Sequence, residues 1–352
     1  MTGAVSADGN PAGLVFPCIC AVLGLLILVR RIAARSSPCT AAPVLFPHGP
    51  VEMKMDGSDH TFIAPDKTLM RMLWKEIYAE RCYDSSPLTP LDVLATEAKQ
   101  QGRDVVVFDV GGNIGVFARY AAEAIIAAGG SAQVHSFEPI PPVYGLHKKN
   151  TVGLGKAVRV HHFGLCAGTA ETPPATVTFE YFPGLPGNGT MKFEERDSFQ
   201  KKLFASTEGV NKYLSSLSAK NRTLRCIMAL VYPCRAALVQ RWFAGRAANH
   251  IPYECELRTA ASVIEAEGVS VIDLLKVDVE GAELDVLKGI SPGQWKLVRQ
   301  VVAEVHDVNG RLAEVQRLLG AQGVGGFTQV KVEQEEMFAT LGQPTFMVYA
   351  VR

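Results

Sequence analysis

Nine residues of this sequence combine types and spacing that could hold and activate a ligand. Asp109, Gly111, Asn113 and Gly115 alternate through the run DVGGNIG. Glycines at such a turn let the backbone bend sharply and approach a ligand closely, and a helix that starts there aims free N–H groups at it. A dinucleotide site would need G-x-G-x-x-G and, about 20 residues further on, an acid for the ribose. Here the acid precedes the glycines, so the turn fits a nucleoside ligand without a pyrophosphate and disfavours a nicotinamide enzyme. Glu138 ends the run QVHSFE, a place from which a carboxylate can accept hydrogen bonds from ribose hydroxyls. Asp278 and Glu280 follow IDLLKV, and Glu304 and His306 lie in the run AEVH. An unperturbed imidazole titrates at about 6.5, nearest neutrality in this set, which makes His306 the candidate general base. Asp278, Glu280 and Glu304 would orient it, or join it around a metal that acidifies an acceptor hydroxyl. The competing reading is a histidine that only caps its strand, among plain loop charges.

Positioning these residues takes strands that end at one edge of a sheet. Residues 105–108 read as a parallel strand buried on both faces. Residues 116–128 follow as a helix, ended by Gly129-Gly130. Further strands are expected at 133–138, 158–165, 272–277 and 297–305, with helices at 142–150, 262–267, 282–289 and 312–319. Residues 328–333 and 345–351 supply a last antiparallel pair, 175–182 an antiparallel arm, and 254–261 a short strand and turn. This alternation predicts an α/β fold, a Rossmann-like, doubly wound and mostly parallel sheet. Ahead of it, 68–79 and 91–101 have helical spacing and are expected to cap the ligand edge of the sheet, or only to pack.

Balanced charge, 35 basic against 35 acidic residues among 352, excludes a globally basic nucleic-acid binder. The eight cysteines form no C-x-x-C pair and no zinc spacing, as expected of reduced thiols. Residues 9–29 carry no charge and are followed at once by Arg30, Arg31 and Arg35. A bilayer core needs about 20 apolar residues, so residues 1–35 are expected to be a single-pass transmembrane anchor with the catalytic part on the cytoplasmic side. The rival is an organellar targeting segment, because 30–42 is basic, acid-free and contains Ser36, Ser37 and Thr40. The sequons at Asn188 and Asn221 count only if the domain is lumenal. Residues 36–103 form a proline-marked linker and helical cap, and 104–352 the catalytic domain with an insertion at about 191–250. Residues 191–248 hold 11 Lys and Arg against 4 Asp and Glu, mixed with Trp242, Phe243 and aliphatic residues. Such a stretch reads as an insertion with its own small core, or as a surface for anionic lipid headgroups. Nothing in the sequence sets an oligomeric state.

The joint occurrence of FDVGGNIGVFARYAA, HSFEP, IDLLKVDVEGAELDVLKGI and VVAEVHD resembles the FkbM family of methyltransferases, over residues 105–307. The resemblance implies a class I methyltransferase fold, S-adenosyl-L-methionine as cofactor and methyl transfer to a hydroxyl. By position, Asp109, Gly111, Asn113 and Gly115 would hold the methionine part of the cofactor and Glu138 its ribose. Asp278 and Glu280 would face the transferred methyl. The anchor, the helical N-terminal region and the basic insertion depart from the family's compact pattern and leave the acceptor open among small molecules, glycans and lipids. A catalytically inert cofactor-binding or scaffold protein is the alternative.

Overall fold

The run VVVFDV offers water no polar face, and all six of its residues are buried in an inner strand of a seven-stranded sheet. The computed structural model describes residues 46, 49–55, 58–168, 176–187, 189–195, 249–334 and 345–352. The chain enters through a hairpin, β1 (Val51–Lys54) and β2 (Thr61–Ala64). Helix α1 (Lys67–Trp74) runs on into a π-helical turn at Lys75–Ala79, and α2 (Leu91–Gln100) follows. Then come β3 (Val105–Val110), α3 (Val116–Ala127), β4 (Ala132–Phe137), α4 (Pro141–Thr151) and β5 (Val158–His161). Four short strands stand apart from the main sheet: β6 (Gly164–Leu165), β7 (Val177–Tyr181), β8 (Ile251–Cys255) and β9 (Leu257–Arg258). The chain closes with α5 (Ala260–Ala266), β10 (Leu274–Val277), α6 (Glu283–Lys288), β11 (Gln300–His306), α7 (Arg311–Leu319), β12 (Gln329–Gln334) and β13 (Thr345–Val351).

The sheet order is β12-β13-β11-β10-β3-β4-β5, with parallel pairing from β11 to β5 and antiparallel pairing at β13 and β12. The chain builds outward from β3 to β5 and then crosses back to β10, so the strand order reverses between β3 and β10. Open α/β sheets bind ligands in the crevice that such a reversal opens at the strands' carboxyl ends. Alternation along β3 divides the core: Val105 and Val107 pack with α1 to α4, whereas Val106, Phe108 and Val110 pack with α5 to α7. The expected doubly wound, mostly parallel sheet is therefore the observed one, including the antiparallel pair at its end.

Some local expectations differ. Residues 158–165 do not form one strand: β5 stops at His161, and Gly164–Leu165 pairs with Leu257–Arg258 instead. His162 stacks outward on Tyr144 while Phe163 turns inward beside Phe137, and that break carries the chain across the ligand edge. The hairpin β1–β2 is an addition to the expected elements; Asn150 of α4 ties it down by accepting from Ile63 N and donating to Ile63 O. Helices α1 and α2 belong to the core on one sheet face rather than covering the ligand edge, which the connection between them reaches instead. Among the described residues no helix is long and apolar enough to cross a membrane. The expected anchor at 1–35 and most of the basic insertion lie outside the described residues.

At the opposite edge a buried carboxylate sets the strand register. Asp273 is fully buried and accepts from Val106 N, from both terminal nitrogens of Arg103 and from Arg299, at 2.7 to 3.0 Å. It thereby joins the starts of β3, β10 and β11. Asp273→Ala is expected to cost about 3 kcal/mol, the lower end for breaking a buried ion pair, because both arginines keep some water. Urea denaturation measures it, and a loss below about 1 kcal/mol, the range of exposed pairs, would show that backbone pairing alone sets the register.

Candidate active site

The glycine turn is built against β10 and α4. Gly111 has a φ of +82°, and a Cβ there would overlap the carbonyl oxygen of Asp278. Gly115, at +85°, lies against the ring of His147, which leaves a Cβ no room. Asn113 adopts a φ of +46°, a region that asparagine tolerates, and its Oδ1 accepts from Ile114 N at 2.8 Å. His147 is fully buried and donates from Nδ1 to Asn113 O at 3.1 Å; burial pushes it down to about 4, so it supports the turn as a neutral ring.

Asp109 does not face the ligand crevice. It is fully buried behind the turn, accepts from Ser136 Oγ at 2.6 Å and lies 3.1 Å from Lys276 Nζ. Lys276 in turn donates to Gly111 O at 2.8 Å and lies 3.6 Å from Asp278 Oδ2. Burial works against this ammonium, but Asp109, Asp278 and Glu304 outweigh it and hold it charged. Asp109 therefore acts at one remove, through the lysine that holds the turn.

In front of the turn lies a pocket lined by Gly111, Asn113, Glu138, Asp278 and Glu280, with apolar walls from Ile140, Val143, Leu165 and Phe179. Gly115 stays behind it. Glu138 is buried and accepts from Ile140 N at 2.8 Å; burial pushes it up to about 8 against the backbone N–H groups of Ile140 and Asn113. A carboxylate beside apolar walls suits a ribose joined to a flat base, and a turn without side chains suits the chain that continues from the ribose. These residues fit S-adenosylmethionine.

Asp278, Glu280, Glu304 and His306, read separately from two strand ends, come together at the pocket's far side. His306 Nδ1 donates to Glu283 Oε1 at 2.8 Å, while its Nε2 lies 3.6 Å from Glu280 and 3.9 Å from Glu304. Burial opposes the charged ring, but the hydrogen bond to Glu283 and the charges of Glu280, Glu283 and Glu304 prevail, raising His306 to about 10. The expectation that His306 is the general base is therefore corrected: near neutral pH the ring already carries its second proton. Glu280, with a φ of +49°, and Gly281 make the left-handed turn that presents Asp278 and Glu280 to the pocket, and Thr190 Oγ1 holds it by donating to Glu280 O at 2.8 Å.

Sequence reasoning missed several residues here. Lys276 left a signal, a charge inside an apolar strand run. Glu283 and Arg311 looked like ordinary helix charges, yet Glu283 is fully buried and Arg311 donates to His306 O and to Glu195. Tyr83, which donates to Asp278 Oδ2 at 3.2 Å, left no signal at all. The metal alternative finds no mutually close ligand set at the pocket among the described residues. The set that does occur among the described residues, His135, His161 and Glu267, does not line the pocket and lies in the layer of Phe108, Phe137 and Phe163. His135 Nδ1 and His161 Nε2 lie 3.1 Å apart between rings inclined by 11° with centroids at 5.3 Å, so the nitrogens meet in line as in a hydrogen bond. Arg159 takes Glu267.

A family model described as "Methyltransferase FkbM domain" matches residues 109–323. Methyltransferase sdnD of Sordaria araneosa is 30% identical over 274 residues, covering 75% of this chain and 85% of that protein. The 31-O-demethyl-FK506 methyltransferase FkbM of Streptomyces tacrolimicus is 32% identical over 271 residues, covering 76% and 85%. Methyltransferase 1 of Beauveria bassiana is 25% identical over 258 residues, covering 73% and 82%.

Two pH dependences follow from this geometry. Ribose hydroxyls donate best to an ionised Glu138, which the free protein keeps protonated up to about 8. Affinity for S-adenosylmethionine is therefore expected to rise from pH 6.5 towards pH 8.5, and Glu138→Gln to flatten the curve at a lower affinity, by about 1.5 to 3 kcal/mol at the alkaline end. Calorimetry that finds wild-type affinity independent of pH would sink this role. For His306 the folded ring keeps its proton to about 10, whereas an unfolded one loses it at about 6.5. The proton's contribution to stability is thus complete below the lower value and lost as pH rises through the higher one. The stability difference between the wild type and His306→Gln should shrink steadily over that window, and a constant difference would mean a neutral ring.

Proposed function

The chain belongs to the FkbM methyltransferase family and is an S-adenosylmethionine-dependent methyltransferase, and from that premise we propose that it methylates a hydroxyl of a small-molecule acceptor. One observation carries this reading: Asp278 and Glu280 reach the pocket wall beside the glycine turn while His306 is held as a cation by three carboxylates. A hydroxyl is a poor nucleophile until its proton leaves, so the site needs a base, and a carboxylate takes that part once the imidazole cannot. The relative named 31-O-demethyl-FK506 methyltransferase supports oxygen as the accepting atom.

When bound, the cofactor supplies an electrophilic methyl group on a positively charged sulfur. The residues of this chain do the rest by placement. Gly111 and Asn113 would leave room for the cofactor's chain, Glu138 would accept from its ribose, and the apolar walls would hold its base, all of them lining the one pocket. Asp278 takes the acceptor's proton at a carboxylate oxygen. Lys276 and His306 offset the negative charge of Asp278, Glu280 and Glu304, so that three carboxylates can stand close together. Alignment in a place sheltered from water supplies much of the acceleration in such a displacement.

The reading includes a single-pass anchor at residues 9–29 with the catalytic part cytoplasmic, supported by the charge-free run and by Arg30, Arg31 and Arg35 after it.

The test supplies methyl-labelled S-adenosylmethionine to fractions of expressing and non-expressing cells together with small-molecule extracts. Label is expected in a base-stable ether, formed by the membrane fraction and released from it when residues 1–35 are removed. Asp278→Asn should lower turnover by about 10² to 10⁴, the usual contribution of a positioned base. Label that leaves as methanol in mild base would mark a carboxyl acceptor, and full-length activity in the soluble fraction would remove the anchor.

A further inference from the structure

Tyr83 lies outside the stretch that the family model matches, yet it reaches the centre of the site. The side chain is buried, and its hydroxyl is 3.2 Å from Asp278 Oδ2 and 3.4 Å from Glu304 Oε2. Its ring meets Phe117 edge-on at 5.5 Å, with the Lys276 ammonium 5.3 Å from its centroid. The segment that carries it is tightly held. Buried Asp84 accepts from Arg81, from Tyr120 Oη at 2.7 Å and from Leu91 N at 2.8 Å, and Arg81 Nε also donates to Tyr120 Oη at 2.8 Å. Tyr83 thus enters the site from a rigid base.

Asp278 stands between two competitors. Lys276 Nζ is 3.6 Å from its Oδ2, beyond hydrogen-bond reach but close enough for strong attraction in a buried setting, while the Tyr83 hydroxyl draws on the same oxygen. If the phenol were absent, the carboxylate would close on the ammonium, be neutralised and turn from the pocket. Burial and the charges of Asp278 and Glu304 keep the phenol protonated, so it remains a donor. Resting on the reading that places Asp278 at the reacting methyl, we infer that Tyr83 is a positioning residue: its hydroxyl bridges Asp278 and Glu304 and holds the Asp278 carboxylate toward the positively charged sulfur of the cofactor instead of against Lys276.

The test needs no acceptor, because S-adenosylmethionine carries that charge and S-adenosylhomocysteine does not. Calorimetry on the full chain compares both ligands for the wild type, Tyr83→Phe, Asp278→Asn and the double variant. Tyr83→Phe keeps the ring and removes only the hydroxyl. It is expected to weaken S-adenosylmethionine about 5- to 10-fold while S-adenosylhomocysteine stays within about twofold, a change close to that of one ordinary hydrogen bond. Asp278→Asn should show the same split, and in that background Tyr83→Phe should add nothing, the signature of two residues acting as one unit. Equal weakening of both ligands by Tyr83→Phe would make it a packing residue and overturn the inference. So would an unchanged S-adenosylmethionine affinity, or an undiminished effect of Tyr83→Phe in the Asp278→Asn background. A split in Asp278→Asn without one in Tyr83→Phe would overturn the role of Tyr83 and leave the placement of Asp278 standing. No split in Asp278→Asn would overturn both.

Discussion

A single buried ammonium holds the reversal of this sheet together. Lys276 is 3% exposed on the face of β10 where its neighbours are apolar, and a charge taken out of water persists only if it is paired and hydrogen-bonded. It finds Asp109 from β3, the Gly111 carbonyl from the turn and Asp278 from its own strand's end, with the faces of Tyr83 and Phe117 alongside. The end of β3, the turn, the end of β10 and both aromatic side chains therefore meet around one side chain. Asp109 needs the lysine as much as the lysine needs it, and the glycine turn is held from behind by the pair instead of by its own strand alone.

A second charge system governs the other half of the site. Glu283, fully buried at the start of α6, accepts from Gly281 N and from His306, while Arg311 donates to the carbonyl of that histidine. The left-handed pair Glu280 and Gly281 lies inside this network, so the two pocket carboxylates rest on a turn that is costly alone and is secured by Glu283 and Thr190. The same arrangement decides protonation. Glu138, where burial outweighs the pull of Lys276, moves up, whereas His306, buried among carboxylates, becomes a fixed cation. Burial opposes charge in both places, and only the neighbours differ.

The region ahead of β3 is part of this construction. Helices α1 and α2 complete the core on one face of the sheet, and the link between them, pinned through Asp84 and Tyr120, carries Tyr83 to the ligand edge. Methyltransferase folds take different acceptors on a shared cofactor platform, since function lives in sites grafted on the fold. Here the graft includes residues that precede the first strand of the sheet.

By itself the sequence determined what depends on neighbours along the chain. Strand and helix order followed from hydrophobic period and turn residues, a nucleoside ligand from the spacing of Asp109, Gly111, Asn113 and Gly115 with Glu138, and the family, with the cofactor it implies, from motifs whose order survives in one dimension. Tertiary structure alone decided what depends on distant charges. His306 reads as a neutral base in isolation and becomes a cation because Glu280, Glu283 and Glu304 surround it from two separate segments. Asp109 turned from a ligand contact into a support because Lys276, far along the chain, meets it across adjacent strands. Tyr83 became a site residue only when the connection between two helices folded against two strand ends. A protonation state or a partner is a property of the field at a point in space, and no local pattern of residues carries that field.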